Sequence, residues 1–338
     1  MTIIQQQFFE LLKSGLWGGA PDASLFVGEV DWPQLFQLAR RQALPAIVLD
    51  GVRLLPEELR PPKALYLQWC AVMLHVEEQN ELLNREIGNL YALLRAQGME
   101  PVLAKGQGVA QCYRLPHHRQ CGDIDLYLGR RFYEQTNALL RPEATEEHEE
   151  TFKHSCMHWR GVIVENHCIL ISLNRPSADR RMQHAIALWW NDGAPRCPKV
   201  KVGDTLVSVP PYSFNVAYVL THATLHFLNE GIGLRQVCDW ACLLQSPHTD
   251  EEKAEAARLL KSFGLEKSAR LFGALLVNCL GVSRDVLPIP FGPKDEKKAG
   301  WLLGDIWSGG NFGRYGNRRK QRPKGYWSGK WYTLVRLL

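Results

Sequence analysis

Residues 119–128 read Arg-Gln-Cys-Gly-Asp-Ile-Asp-Leu-Tyr-Leu and carry the clearest structural signal in the chain. From Gly122 onward, polar and apolar residues alternate with the two-residue period of a β-strand. One face of the predicted strand takes the apolar set, Ile124, Leu126 and Leu128. Asp123 and Asp125 fall on the other face, so the alternation predicts a half-buried strand that presents two carboxylates.

The spacing of these two aspartates is compatible with a cation site. Side chains two residues apart on a strand project from the same face, with Cα atoms roughly 6.5 to 7 Å apart. Like charges held that close are unfavourable unless a cation neutralises them, and oxygen ligands suit Mg²⁺ or Mn²⁺. Two carboxylates that bridge two such ions form a phosphoryl-transfer site. Most pairs of this kind lie on solvated strand edges and bind no metal. The surrounding residues are therefore needed to distinguish a metal site from an ordinary strand.

The surrounding residues favour the metal site. Lys105 and Gly106 follow a short apolar strand, 101–104, at the point where a helical turn is predicted to begin. Such a turn lets backbone N–H groups approach a phosphate and places a cation beside it. Glu165 ends another apolar strand, 162–164, that can lie next to the first. Together these residues supply the parts of a two-metal site.

The motifs and their order resemble those of a known superfamily. They are Lys-Gly, then Arg-x-x-Gly-Asp-x-Asp-Leu, then a strand ending in Glu-x-His. The superfamily is that of the nucleotidyltransferases, and it includes DNA polymerase beta and kanamycin nucleotidyltransferase. The chain resembles most closely its bacterial branch of uncharacterised nucleotidyltransferases. The resemblance extends over most of the chain through four further features: Asp31-Trp32 at a helix start, His222-x-x-x-His226, Arg235-x-x-x-Asp239 and Gly-Asn-Phe-Gly at 310–313.

The resemblance implies a role for each motif residue. Asp123 and Asp125 would ligate the catalytic Mg²⁺ (or Mn²⁺), and Glu165 would complete the metal site and help to activate the acceptor hydroxyl. Lys105 and Gly106 would form the phosphate-binding turn. The implied reaction moves a nucleoside monophosphate from a nucleoside triphosphate (NTP) to the hydroxyl of a small molecule, a carbohydrate or a protein, and releases pyrophosphate.

One departure from the superfamily pattern keeps an alternative open. The wider superfamily has Gly-Ser at the phosphate turn, whereas this chain has Gly106-Gln107. Either Lys105 substitutes for the serine or triphosphate binding is weakened. The alternative is a catalytically inactive nucleotidyltransferase-fold protein that binds RNA or a protein partner through its basic C-terminal tail.

Several further side chains are candidates for the cleft. Arg119 can give a phosphate a bidentate contact or form a salt bridge that pins its loop. His167, on the face of Glu165, can orient a carboxylate, contact substrate or pack in the core.

His222 and His226 share a helix face. Because no Glu follows His222, a zinc protease is improbable. They can line the cleft or satisfy hydrogen bonds in the core, and Arg235 and Asp239 can form an ordinary helix pair.

Charge is distributed unevenly along the chain. The net charge is +5, but residues 306–338 contain eight basic residues and no acidic one, so residues 1–305 total −3. Aromatic residues are interleaved with the cations of this tail. The tail can therefore bind nucleic acid, meet an anionic membrane surface or fold back onto the mildly acidic body.

Composition restricts the class of protein. With 338 residues, of which 46% are hydrophobic and 22% charged, the chain is predicted to fold into two or three compact units. No apolar run reaches the ~18 to 20 residues of a membrane span, and the N-terminus lacks the features of a signal peptide. Nine cysteines without a CxxC pair argue against a disulfide framework and a thiolate zinc site. We therefore expect a cytoplasmic protein.

The predicted fold class is α+β. A small mixed β-sheet nucleotidyltransferase core with flanking helices (98–210) is expected between an N-terminal helical region (1–97) and a C-terminal helical bundle (211–306), followed by the basic aromatic tail (307–338). Within the core, an acidic loop is predicted over 143–150 and two or three strands over 151–159, 161–165 and 168–173. In the N-terminal region, Asp31 is predicted to cap a helix that has Pro33 in its first turn.

Overall fold

The structure is a computed structural model that describes residues 1–148, 153–190 and 195–316. The chain divides into two compact units. Among the described residues, the helical unit comprises 1–73, 219–246 and 265–316. The sheet unit comprises residues 74–218 and 247–264. The predicted boundaries at residues 97, 210 and 306 stay a prediction.

The α-helices of the described residues are α1 (Ile3–Trp17), α2 (Trp32–Arg41), α3 (Pro45–Arg53), α4 (Lys63–Arg95), α5 (Gly106–Ala110), α6 (Gly129–Leu140), α7 (Pro176–Trp189), α8 (Tyr212–Asn229), α9 (Leu234–Gln245), α10 (Asp250–Ser262), α11 (Glu266–Leu280) and α12 (Pro293–Gly309). None of these helices has both the length and the apolar character that a membrane span needs.

The strands are β1 (Val102–Ala104), β2 (Asp123–Tyr127), β3 (Ala144–His148), β4 (His154–Trp159), β5 (Val162–His167), β6 (Lys199–Val202) and β7 (Thr205–Ser208). They form one sheet in the order β3-β4-β5-β2-β1-β7-β6. Strands β2 and β5 pair in parallel, as do β1 and β7, and the other neighbours are antiparallel. The α+β class and the mixed sheet are therefore confirmed.

The strand predicted from residue 122 onward is β2, and its apolar face is buried as the alternation predicted. The other face is also largely buried, with Asp125 2% and Tyr127 7% exposed. Ile124 is 1% exposed and Leu126 is fully buried. Val164 of β5 lies beside Ile124 in the parallel register, and Met157 of β4 lies beside Val164. Because register partners share a face, these side chains form one continuous apolar surface of the sheet.

A buried polar cluster ties helix α6 to this apolar face. The Asn137 side-chain oxygen accepts hydrogen bonds from Ser155 Oγ at 2.6 Å and from Asn166 Nδ2 at 2.8 Å. All three residues are at most 1% exposed. Since a buried polar group is costly unless it is hydrogen-bonded, the cluster fixes how α6 packs on β4 and β5.

Local sequence signals explain the helical unit. The Asp31 carboxylate caps α2 by accepting from the Gln34 N–H at 2.9 Å, and Pro33 occupies the first turn, as predicted. Helices α1 and α3 approach closely at two glycines. A Cβ at Gly15 would lie 1.9 Å from the Ile47 carbonyl oxygen, and one at Gly51 would lie 2.0 Å from that of Leu11. Only glycine permits this backbone contact.

Three predictions for the core were wrong or incomplete. Residues 144–148 form edge strand β3 rather than part of an acidic loop, and charged side chains are common on edge strands. Residues 168–173 are not a strand, because side chains of α7 take their backbone groups: Asp179 accepts from the Leu173 N–H and Gln183 donates to the Ile171 carbonyl. Helix α7 itself was not predicted.

Candidate active site

Three carboxylates lie on one face of the sheet unit. In the parallel register of β2 and β5, Asp125 is the partner of Glu165, and Asp123 is the partner of Ile163. Register partners share a face, and so do residues two apart on one strand. Asp123, Asp125 and Glu165 therefore project from the face opposite to the apolar surface. We call this the carboxylate face.

A lysine neutralises the most buried of these carboxylates. Lys105 Nζ lies 2.8 Å from Asp125 Oδ1, and the two side chains are 17% and 2% exposed. Burial by itself would lower the pKa of Lys105, but the charge of Asp125, the charges of its other neighbours and the hydrogen bond to Asp125 together outweigh burial and raise it. Burial likewise opposes ionisation of Asp125, yet the Lys105 charge and the His167 hydrogen bond hold its pKa well below the usual range. Both groups are charged at neutral pH.

The position of Lys105 follows from the turn after β1. Ala104 is the register partner of Asp125 in the antiparallel β1–β2 pair, so the next residue begins the turn beside that carboxylate. Lys105 has φ +50° and ψ −139°, a backbone conformation that favours glycine. Strain of this kind costs about 1 to 3 kcal/mol and persists only where surrounding structure imposes it. Gly106 continues the turn at φ +41°.

Two imidazoles complete the carboxylate face. His167 Nε2 lies 3.0 Å from Asp125 Oδ1 and 3.3 Å from Glu165 Oε2. Burial disfavours the charged imidazole, but hydrogen bonds to the two carboxylates outweigh burial and raise the pKa of His167. His154 pairs with His167 across β4 and β5, with ring centroids 4.9 Å apart. Burial lowers the pKa of His154.

The donors of this face fit a divalent cation. One ligand atom each from His154, Glu165 and His167 lie within 4.8 Å of one another. Asp123 and Asp125 lie on the neighbouring strand of the same face but do not belong to this group of three, so the structure places only Glu165 of the predicted carboxylates in it. Carboxylates suit Mg²⁺ or Mn²⁺, and the imidazoles also suit softer ions such as Zn²⁺. The sequence pattern pointed to the three carboxylates and to His167, but His154 was missed because only the β4–β5 register brings it here.

Gln107, the residue that departs from the superfamily pattern, has a structural role. Its side chain is 1% exposed and donates from Nε2 to Asn80 Oδ1 on α4 at 2.6 Å. Asn80 Nδ2 in turn lies 2.6 Å from the His117 carbonyl and 2.9 Å from the Arg119 carbonyl. Gln107 therefore helps to hold the segment that leads into β2. Arg119, considered as a phosphate contact or a loop-pinning ion pair, is 3% exposed.

The other predicted cleft residues belong to the helical unit, where several of them lie together. On α8, the Nε2 atoms of His222 and His226 are 3.2 Å apart. Phe312 of the Gly-Asn-Phe-Gly segment contacts the His226 ring, with centroids 5.7 Å apart, and lies 5.8 Å from the Arg235 guanidinium. Asp239 on α9 is 6% exposed. Their assignment to a cleft stays a prediction.

The chain belongs to the uncharacterised nucleotidyltransferase family, whose model matches residues 28–281. The resemblance inferred from the motifs is therefore confirmed. No curated protein is significantly similar to the chain. Among solved structures, an antigenic nucleotidyltransferase-like protein from Paracoccidioides brasiliensis is similar at 13% identity and a TM-score of 0.33, with 62% of this chain and 93% of that chain covered.

Proposed function

We propose that the sheet unit transfers a nucleoside monophosphate from an NTP to an acceptor hydroxyl and releases pyrophosphate, with a divalent cation held by Asp123, Asp125 and Glu165. The observation that carries the proposal is the set of three carboxylates on adjacent parallel strands of one face, beside the Lys105 ammonium. Membership of the nucleotidyltransferase family supports the reaction class.

The reaction is an in-line displacement at phosphorus. A bound Mg²⁺ or Mn²⁺ supplies Lewis-acid stabilisation of the charge on the triphosphate. The acceptor oxygen forms a bond to the α-phosphorus while the bond from that phosphorus to the pyrophosphate oxygen breaks. Glu165, 24% exposed, takes the acceptor proton, and the His167 imidazole 3.3 Å away orients its carboxylate.

Lys105 is the residue we assign to the triphosphate. The Gln107 side chain is engaged with Asn80, so it does not replace the superfamily serine. The Lys105 ammonium already lies at the carboxylate face, where a cation attracts phosphate oxygens. Gly106 follows in the same turn but is itself buried, with Cys121 Sγ 3.4 Å from the position that a Cβ would take. We therefore propose that Lys105 takes the phosphate contact.

The alternative is the catalytically inactive protein of the same fold. It is favoured by the Lys105–Asp125 ion pair, because a lysine that neutralises the buried aspartate reduces the need for a metal ion. Its partner would be RNA or a protein bound through the basic tail. Residues 317–338 of that tail lie outside the described residues.

A thermal-shift titration with each of the four NTPs, with and without Mg²⁺, separates the two functions. We expect the wild-type chain to be stabilised only when both nucleotide and metal are present, and Asp123→Asn to lose this stabilisation. The matched control is Asp204→Asn, whose fully exposed side chain lies in the turn between β6 and β7. If no nucleotide shifts the melting temperature, the inactive binding protein is the better account.

A further inference from the structure

A second group of metal-ligating side chains lies elsewhere in the sheet unit. Glu77 is on α4, and His117 and His118 are on a 3₁₀ turn, Pro116–His118. His118 Nε2 lies 2.8 Å from Glu77 Oε1, and His117 Nε2 lies 3.8 Å from the same oxygen. The two imidazole rings pack edge to face with centroids 4.6 Å apart. The group shares no residue with the carboxylate face.

The spacing of these donors suits a small divalent ion. One ligand atom from each residue falls within 4.8 Å of the other two. A tetrahedral Zn²⁺ with nitrogen and oxygen ligands about 2.0 to 2.1 Å away holds those ligands about 3.3 Å apart. The separations of 2.8 and 3.8 Å bracket that value, so small side-chain movements suffice to complete the ligand set.

The backbone that carries the two imidazoles is fixed to the helix that carries the carboxylate. Asn80 lies one turn after Glu77 on α4 and is fully buried. Its amide nitrogen lies within hydrogen-bond distance of the carbonyls of His117 and Arg119, at 2.6 and 2.9 Å. Gln107 in turn donates to the Asn80 side-chain oxygen. Hydrogen bonds that hold the residues carrying metal ligands orient those ligands and raise the affinity for the metal.

The composition and exposure of the group indicate which ion it takes. Two imidazoles and one carboxylate are a ligand set of zinc sites that keep a position open for water. Imidazole also favours Zn²⁺ and related transition metals over Mg²⁺. His118 is 3% exposed and Glu77 26%, whereas His117 is 48% exposed and leaves a path for the ion from solvent.

We propose that Glu77, His117 and His118 bind a divalent transition metal of the Zn²⁺ class, at a site separate from the one used for nucleotidyl transfer. The ion would fasten the 117–119 segment to α4, immediately before the strand that carries Asp123 and Asp125. The proposal does not depend on the proposed function, because none of its three donors belongs to the carboxylate face.

Co²⁺ provides a spectroscopic test, because it replaces Zn²⁺ and absorbs visible light when bound by imidazole. The titration uses a full-length His154→Ala/Glu165→Gln background, which removes two of the three grouped donors from the carboxylate face. We expect one equivalent of Co²⁺ to bind with visible absorption. Adding His117→Ala should weaken binding at least about tenfold. In the unmodified chain, the same substitution should remove one equivalent of bound Co²⁺.

His75→Ala is the matched control. His75 lies on the same helix as Glu77, is 69% exposed and is 3.9 Å from Glu78, but it is not one of the three grouped donors. It should leave the Co²⁺ spectrum unchanged. Zn²⁺ alone should raise the melting temperature of the background variant, but not of the one that also carries His117→Ala. A Co²⁺ affinity that His117→Ala leaves unchanged, or an absence of Co²⁺ binding to folded protein, would overturn the proposal.

Discussion

The two faces of strand β2 are almost equally buried but are held by different forces. Leu126 on the apolar face is fully buried, and Asp125 on the carboxylate face is 2% exposed. Burying Leu126 stabilises the fold because apolar surface leaves water. Burying Asp125 costs free energy that Lys105 and His167 only offset. The comparison teaches that folding accounts for the apolar face, whereas the buried ion pair of the other face adds little stability and is the kind of arrangement found at functional sites.

The largest effect is expected on the carboxylate face. Glu165→Gln keeps the size of the side chain but removes the carboxylate proposed to take the acceptor proton, so the proposal predicts that turnover falls about a thousandfold. The measurement is the initial rate of pyrophosphate release in the presence of NTP, metal and acceptor. Glu57→Gln, at a side chain that is 91% exposed in the helical unit, should keep the wild-type rate. Equal rates for both variants would remove Glu165 from the reaction.

Lys105→Met should give the next largest effect, on stability. The variant leaves the Asp125 carboxylate buried without its ammonium partner, and breaking such a pair costs about 4 kcal/mol in the free energy of unfolding. Chemical denaturation at neutral pH measures this difference. If the variant is as stable as the wild type, the Asp125 carboxylate does not need the Lys105 ammonium to remain buried and charged.

The same variant has an expected pH dependence. In the wild type the Asp125 pKa is lowered from its ordinary 3.8, so the pair stabilises the fold above that pH and is lost as pH falls through the lowered value. In Lys105→Met the pKa of Asp125 rises, and the carboxyl becomes neutral at a higher pH. The stability difference between the two proteins should therefore be full at neutral pH and shrink in acid.

Leu126→Ala should show the opposite behaviour, with a loss of stability and little loss of turnover. Removing a fully buried leucine leaves a cavity and costs about 3 kcal/mol. Turnover per folded molecule should stay near the wild-type value, because the side chain points away from the carboxylates. A fall in turnover as large as that of Glu165→Gln would show that the two faces are not independent.

Glu100→Gln should give the smallest effect, because its ion pair lies away from both faces. Burial opposes ionisation of Glu100, but hydrogen bonds from Arg95 and Ser208 outweigh it and lower the pKa from 4.5. The charge therefore stabilises the fold above pH 4.5, and this contribution is lost as pH falls through the lowered value. We expect a loss of about 1 kcal/mol at neutral pH, since partial exposure weakens the pair. Denaturation at neutral and acid pH checks it.

Short-range patterns predicted the parts of the molecule that depend on local sequence. Alternation identified β2 and its two faces, and Asp31 with Pro33 identified the start of α2. Strand β3 was missed because its polar sequence has no apolar face, and its pairing with β4 alone makes it a strand. The position of His154 depends on the register between β4 and β5, and the role of Asn80 depends on its hydrogen bond with Gln107, 27 residues further along the chain. No local sequence pattern contains either contact.

The most direct test of nucleotidyl transfer incubates the protein with metal, acceptor and an NTP that carries a radioactive label at either the α- or the γ-phosphate. Small-molecule, RNA and protein fractions of a cell extract serve as acceptors, and Asp123→Asn is compared with Asp204→Asn. We expect label from the α-phosphate in one acceptor fraction, γ label only in pyrophosphate, and loss of both signals in Asp123→Asn alone. Transfer of the γ label, or α transfer that survives in Asp123→Asn, would contradict the assignment of this face to nucleotidyl transfer.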